Sequence, residues 1–352
     1  MSEPTVTGSS PVGLHRVLSP PGVLPQAADR LETRAALWPD ETRVRVERLN
    51  LDAASFRQLQ QQHNNNGAAI RAEVLSLVRN RGKMHNPVTG SGGMLIGVVE
   101  EVGPAATLDL APGDRVATLV SLTLTPLVIE DALVRWDGHG EQVPCDGYAI
   151  LFGRTIAARL PDDIPAELAL AVMDVCGAAG LTARVVHSYA QRGRAPTVCV
   201  VGAAGKSGSL ALAAAARAGA GRTIGVVPIA AEAHALRAAD LADAVVRADA
   251  RDPVSLSAAV AAGGGPADVT VVCVDVPGCE GGAILSTAEQ GTVVFFSMAT
   301  SFSAAALSAE GLVADITMLI GNGYVPGHAD YALQVLRDNP GVRALFELRL
   351  AA

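Results

Sequence analysis

Seven residues near the middle of the chain, Gly202-Ala203-Ala204-Gly205-Lys206-Ser207-Gly208, have the composition and spacing to seat a phosphate-bearing ligand. Glycine stands at every third position, which permits a tight turn and lets the backbone approach a pyrophosphate. The apolar run Thr197-Val198-Cys199-Val200-Val201 precedes the turn, and an Ala-rich helical segment at 209–218 follows it. At such a strand–turn–helix junction the free N–H groups and positive dipole end of the helix face the anion. Gly202, Ala204, Gly205, Lys206, Ser207 and Gly208 are thus the candidate cofactor-binding residues. The competing reading is that the glycines only permit close helix–sheet packing.

A second strand is expected at 222–227. Its end, Val226-Val227-Pro228-Ile229, offers no Asp or Glu to bond a ribose 2′-hydroxyl, and Glu232 falls in the helix expected next. Without that acid a 2′-phosphate is not repelled. His234, Arg237 and Lys206 are possible positive partners, with Arg237 the first choice. The expected cofactor is NADP in preference to NAD.

The elements around this turn alternate. Strands are expected at 197–201, 223–227, 244–247, 269–275, 292–298 and 315–320. Helices are expected at 208–219, 230–240, 254–262, 280–290 and 328–338. Such alternation specifies a parallel sheet with helices on both faces. Before it, residues 166–187 read as one long apolar helical region joining two halves. The first half is rich in strands and loops. Residues 1–40 are a proline-punctuated lead-in, and alternation starts at Val44–Leu49. Helices are expected at 53–62 and 68–79, and a strand at 94–102. A turn, Ala111-Pro112-Gly113-Asp114, enters another strand.

At 352 residues the chain has room for two cores. It is 49% hydrophobic yet only 3% aromatic, which suits parallel strands and small-residue helices. A net charge of −8 with no basic run argues against nucleic-acid binding. Every long apolar stretch is interrupted, so no membrane span is expected, and the first thirty residues do not read as a signal peptide. The five cysteines are scattered and lack a CxxC pair, which fits a reducing, cytoplasmic setting.

Three features coincide: the strand near residue 44, Gly97-Val98-Val99-Glu100-Glu101-Val102-Gly103 leading into Pro112-Gly113-Asp114-Arg115-Val116, and the later glycine loop. Together they resemble the medium-chain dehydrogenase/reductase superfamily over residues 42–340. The stretch Arg81-Gly82-Lys83-Met84-His85-Asn86-Pro87-Val88-Thr89-Gly90-Ser91-Gly92-Gly93, with the glycine loop, resembles its L-erythro-3,5-diaminohexanoate dehydrogenase family. The fold this implies is α/β: a GroES-like β-barrel domain plus a Rossmann doubly wound parallel-sheet domain. The expected boundaries are 1–176, including an N-terminal extension, and 177–340, with a short tail at 341–352. The long C-terminal return to the barrel found in many relatives is expected to be short or missing. So is the four-cysteine lobe that holds a structural zinc in some alcohol dehydrogenases.

The resemblance implies NAD(P)-dependent oxidation at an amino-bearing carbon of a small diamino acid, giving 5-amino-3-oxohexanoate and ammonia. Such chemistry needs a proton acceptor, anionic anchors for ammonium groups and a cationic anchor for a carboxylate. In the non-periodic 83–93 loop His85 is the candidate base, with a pKa expected near working pH. Lys83 is the candidate carboxylate anchor, acting directly or through Asn86 or Thr89, and Ser91 could line the nicotinamide side. The competing readings are a His85 bonded to loop backbone and a solvent-facing Lys83.

Asp52 stands where zinc-dependent relatives carry a cysteine ligand, and Cys176 matches a later one. Gly92-Gly93-Met94 replaces their Gly-His-Glu, so no metal is expected. Asp52 is read as an ammonium anchor against a capping carboxylate, with Asp174 as a weaker second anchor. A homodimer is expected. The rival readings are a zinc-independent enone or quinone reductase of the same superfamily and a non-catalytic NADPH-binding regulator.

Overall fold

The computed structural model describes residues 8–119, 121–297, 299–321 and 323–351. The chain forms two compact units, Met1–Ala166 and Glu167–Ala352.

In the first unit the short strands β1 (Val17–Ser19) and β2 (Arg30–Leu31) pair antiparallel. There follow β3 (Thr42–Asn50), α1 (Ala53–Gln62), α2 (Gly67–Arg81), β4 (Met94–Val102), β5 (Arg115–Thr118), β6 (Leu127–Ile129), β7 (Gln142–Leu151) and β8 (Ala157–Arg159). They build a six-stranded antiparallel sheet of order β6-β7-β3-β4-β5-β8. Central β3 alternates as its sequence predicts, burying Thr42, Val44 and Val46, and then slips register against both neighbours between Val46 and Arg48. This bulge changes the phase of the strand, so Leu49 and Leu51 turn into the core beside Phe56, Leu59, Ile70 and Val74 of α1 and α2. Asp52 follows at once and caps α1, Asn66 caps α2, and Gly82 ends α2 at φ +66°.

The lead-in is loop-rich, as expected, and it is fastened down. Arg16 is fully buried and bonds Glu41 at 2.6 Å, Glu32 at 3.0 Å and the Arg34 carbonyl at 2.9 Å. Burial opposes ionisation of Glu41, but hydrogen bonds from Arg16, His15 and the Trp38 N–H hold its pKa down at about 2.

The second unit contains α3 (Ala166–Met173), α4 (Cys176–Ala190), β9 (Thr197–Val201), α5 (Lys206–Arg217), β10 (Arg222–Val227), α6 (Ala230–Ala238), β11 (Ala244–Arg247), α7 (Pro253–Ala262), β12 (Ala267–Val272), α8 (Glu280–Leu285), β13 (Thr287–Phe295), α9 (Phe302–Gly311), β14 (Thr317–Ile320), α10 (His328–Asp338) and α11 (Pro340–Leu350). Its sheet is parallel throughout, in the order β11-β10-β9-β12-β13-β14. Counted within the unit that order is 3-2-1-4-5-6, with its switch point between β9 and β12.

Two expectations shift here. The second unit starts at Glu167 rather than 177, because α3, with Leu168 to Met173 buried, belongs to it. The expected tail at 341–352 is instead helix α11, capped by Asn339, opened by Pro340 and buried at Val342, Leu345 and Phe346. Among the described residues no single helix is long and apolar enough to cross a membrane; α3 and α4 together are, but they are bent by 48° and largely buried.

Candidate active site

The three glycines of the β9–α5 turn have three different roles. Gly202 sits at φ +84°, and a Cβ there would come within 2.7 Å of Val274 beyond β12, across the switch point. At Gly208 a Cβ would lie 2.2 Å from the Gly202 carbonyl and 2.8 Å from the Ala203 Cα, so this glycine seats the helix on the strand. Gly205 is open: its Cβ would meet only the Gly202 carbonyl, at 3.2 Å. Gly205 is also the N-cap of α5 and brings no side-chain acceptor. The first N–H groups of α5, those of Lys206, Ser207 and Gly208, therefore have no capping side chain, as a pyrophosphate seat requires. The residues fit a dinucleotide.

Lys206 Nζ lies 3.5 Å from Asp174, which stands in the break between α3 and α4. The expected single helix over 166–187 is thus two helices, with the weaker of the two candidate anchors brought to the glycine loop. Arg237 is not brought there. It sits in the last turn of α6 and donates to the Val245 carbonyl, at the far end of the helix from the β10 terminus. Its expected role at a 2′-phosphate does not hold in this geometry. Two arginines not anticipated from sequence do reach that edge. Arg247 ends β11 opposite Val227, and Arg349 of α11 donates to the Ala204 carbonyl at 3.3 Å. The signals for α11 were legible: Asn339-Pro340 as cap and first residue, then Val342, Leu345 and Phe346 at helical spacing.

In the first unit the 83–93 loop folds onto the start of α1. Ser55 and Thr89 hydroxyls meet at 2.5 Å, and Asn86 Nδ2 donates to Gln58 at 2.8 Å. Asn86 Oδ1 accepts from Val88 N and its N–H donates to the Ser91 carbonyl. Asn86 is nearly fully buried. These bonds organise the loop around it and engage the amide that its candidate catalytic role would use. Ser91 is half-buried, its N–H on Thr89 Oγ1. Asp52 is brought to the same place and is divided in function. Its Oδ1 caps α1 by accepting from Ser55 N at 2.9 Å, while its buried Oδ2 has no partner.

Lys83 departs from both sequence readings. It is fully buried, and its ammonium donates to the Pro25 and Gln26 carbonyls at 2.7 and 3.1 Å. Burial, then Arg81, push it down to about 8. It fastens the lead-in instead of presenting a charge to a carboxylate. His85 is half-buried with an unpartnered, buried Nδ1. Burial, then the charges of Lys83 and Arg81, push it down to about 4, well below the working pH expected from sequence.

The backbone at Gly93 has no room for the histidine that zinc-dependent relatives are expected to carry there. It has φ +86°, and a Cβ would lie 1.9 Å from the Asn50 carbonyl and 3.0 Å from Asp52 N. A side chain there would drive the loop off the end of β3, adding to the roughly 1–3 kcal/mol of left-handed strain. Cys176 is buried, its thiol pushed up to about 12 by burial and then by Asp174. Among the described residues no three His, Cys, Asp or Glu side chains gather into a group that could hold a metal ion.

A 3-2-1-4-5-6 parallel sheet with this glycine turn, joined in one chain to an antiparallel six-stranded sheet, is the two-domain architecture of the medium-chain dehydrogenase/reductase fold. Solved structures share the fold. The CurK enoyl reductase superimposes with a TM-score of 0.54 at 14% identity, covering 92% of this chain and 82% of its own. The alcohol dehydrogenase TADH from Thermus sp. ATN1 gives 0.51 at 21%, covering 90% and 88%. Residues 15–161 match the L-erythro-3,5-diaminohexanoate dehydrogenase N-terminal domain. The chain is 42% identical over 341 residues to the L-erythro-3,5-diaminohexanoate dehydrogenase of Acetoanaerobium sticklandii, covering 95% of this chain and 97% of that one. It is 43% identical over 340 residues to the enzyme of that name from Fusobacterium nucleatum subsp. nucleatum, covering 95% and 96%. The chain belongs to the L-erythro-3,5-diaminohexanoate dehydrogenase family.

Proposed function

We propose that this protein oxidatively deaminates L-erythro-3,5-diaminohexanoate with NAD(P) and water, giving 5-amino-3-oxohexanoate, ammonium and reduced cofactor. The observation that carries this reading is the near full-length identity to two dehydrogenases of that name. A nicotinamide supplies the hydride acceptor for C3. The glycine loop and the uncapped start of α5 hold the pyrophosphate. Asp52 Oδ2, a buried acceptor with no donor of its own, takes a substrate ammonium, whose donation removes the cost of an unsatisfied carboxylate oxygen. His85, neutral at working pH, accepts a proton during addition of water.

NADP is preferred over NAD in this reading. The absence of an acid at 228–229 and the presence of Arg247 and Arg349 near the β10 end support it. A homodimer is part of the same proposal, supported by the exposed Leu307, Val313 and Ile320 of α9 and the outer strand β14 and their link. Five unpaired cysteines support a cytoplasmic setting.

The test is NAD(P)H formation across a panel of β-amino acids with ammonia release measured in parallel. Turnover and stoichiometric ammonia are expected with the 3,5-diamino acid and should survive dialysis against a strong chelator. Turnover of neutral enones alone would favour a reductase. Cofactor binding without turnover of any amine or ketone would favour a regulator.

Asp52→Asn separates the two jobs of that carboxylate. Asparagine caps a helix about as well as aspartate, so thermal stability should hold. Loss of a charged hydrogen bond of about 1.5–3 kcal/mol should raise KM for the diamino acid by roughly 10- to 100-fold, with kcat changed little. An unchanged KM in steady-state assays would leave Asp52 as a cap and nothing more.

A further inference from the structure

We infer that Arg349 and Glu232 form the part of the cofactor seat that distinguishes a 2′-phosphorylated adenosine ribose from an unphosphorylated one. The inference rests on the reading of the glycine loop as a nicotinamide dinucleotide site and goes beyond it.

Helix α11 packs on both α5 and α6. Near its end, Arg349 Nε donates to the carbonyl of Ala204, the residue before Gly205, while its Nη2 lies 3.5 Å from Glu232 Oε1. Glu232 is in the first turn of α6, directly after the β10 end. One guanidinium therefore spans the starts of the two helices that follow β9 and β10. A dinucleotide whose pyrophosphate lies over Gly205 extends its adenosine ribose toward that edge.

The acid found at the end of the second strand in NAD-binding relatives is missing from 228–229, and Glu232 is the carboxylate left in the β10–α6 segment next to this turn. The pair is half-exposed, with side-chain exposures of 44% for Arg349 and 31% for Glu232, so each end can be recruited by a ligand. A 2′-phosphate draws the guanidinium off Glu232 and takes two parallel hydrogen bonds from its fork, as Arg is built to give. A ribose 2′-hydroxyl instead donates to Glu232, whose charge Arg349 balances. Because the pair carries no net charge, it excludes neither ligand. Removing one partner unbalances the site in a defined direction.

The experiment measures binding of 2′,5′-ADP and 5′-AMP by calorimetry, and kcat/KM with NADP and NAD, on the full-length protein. Arg349→Gln is expected to weaken 2′,5′-ADP at least tenfold with 5′-AMP changed less than threefold, shifting the NADP/NAD ratio toward NAD. Arg349→Lys, which keeps the charge but loses the fork, should fall between. Glu232→Gln should move the ratio about tenfold toward NADP. Arg237→Ala, at the far end of α6, should leave it unchanged. Thermal melting of each variant separates loss of recognition from loss of α11 packing. Unchanged ratios in both the Arg349 and Glu232 variants, or a shift confined to an Arg247→Gln variant, would overturn the inference. A wild-type protein that binds neither fragment would instead overturn the dinucleotide reading beneath it.

Discussion

Gly205→Val is expected to abolish binding of NADP(H) while leaving the melting temperature within a few degrees of wild type. Gly205 has φ −74° and ψ 169°, extended backbone that a β-branched residue adopts without strain. Its Cβ would touch only the Gly202 carbonyl, so the new methyl groups project into the space the pyrophosphate must enter. Gly208→Val is the matched contrast. There the Cβ falls 2.2 Å from the Gly202 carbonyl, inside the junction of helix and strand, and the variant should lose folded protein outright. Fluorescence titration with NADPH, run beside thermal melts, separates the two. Full affinity in Gly205→Val would mean that the pyrophosphate does not lie over this turn. A stable Gly208→Val that merely binds poorly would mean that the two glycines share one role.

This contrast shows what local sequence carries. The β9–α5 turn was legible because strand, turn and helix are consecutive and each leaves its own signature. The same holds for α1, β4, β11 and α10, whose bounds coincide with the periodic segments, and for α2, stopped at Gly82. Where every residue is buried, periodicity is silent. From Leu168 to Ala183 almost no polar face marks a rotation angle, so the break at Asp174 and Val175 left no trace and one helix was expected where there are two. The helix expected at 280–290 stops at Leu285 because Thr287, the first residue of β13, already pairs with Ala267 of β12, a long-range constraint.

The candidate site was legible as a place but not as a set of roles. The 83–93 loop and Asp52 do meet, through Ser55 and Thr89. What Lys83 does there is set by the carbonyls of Pro25 and Gln26, 58 and 57 residues earlier in the chain. The guanidinium at the glycine loop comes from Arg349, 145 residues beyond Ala204. Residue type and spacing name the groups able to do chemistry. Which of them remain free to do it depends on partners brought in by the fold, and a buried ammonium held by two carbonyls is used up as surely as a salt bridge would use it.

His85→Ala is expected to lower steady-state kcat by about 10²–10⁴-fold, the span for loss of a general base. The step it slows follows from its acidity. Burial, with Lys83 and Arg81, holds the imidazole at about 4, so it is neutral near pH 7. A group this weakly basic cannot strip an alkylammonium of pKa about 10, an uphill transfer of roughly 8 kcal/mol. It can accept the proton of a water molecule as that water bonds to the iminium carbon left by hydride departure, because the oxygen becomes strongly acidic as the bond forms. On that reading the amine reacts as the neutral species. Hydride transfer in the variant should survive as a burst of up to one equivalent of NAD(P)H per site, followed by slow turnover and slow ammonia release. The wild-type acid limb for this group should lie near pH 4 rather than 6.5. Linkage gives an independent check. His85 titrates lower in the fold than in the unfolded chain, so as pH falls below about 6.5 the unfolded state takes up the proton first and stability drops toward pH 4. His85→Ala removes that penalty and should lose less stability than wild type over the same window. A variant that loses the burst together with steady-state turnover would place His85 at the amine instead of the water, and near-normal turnover would remove it from the proton transfer altogether.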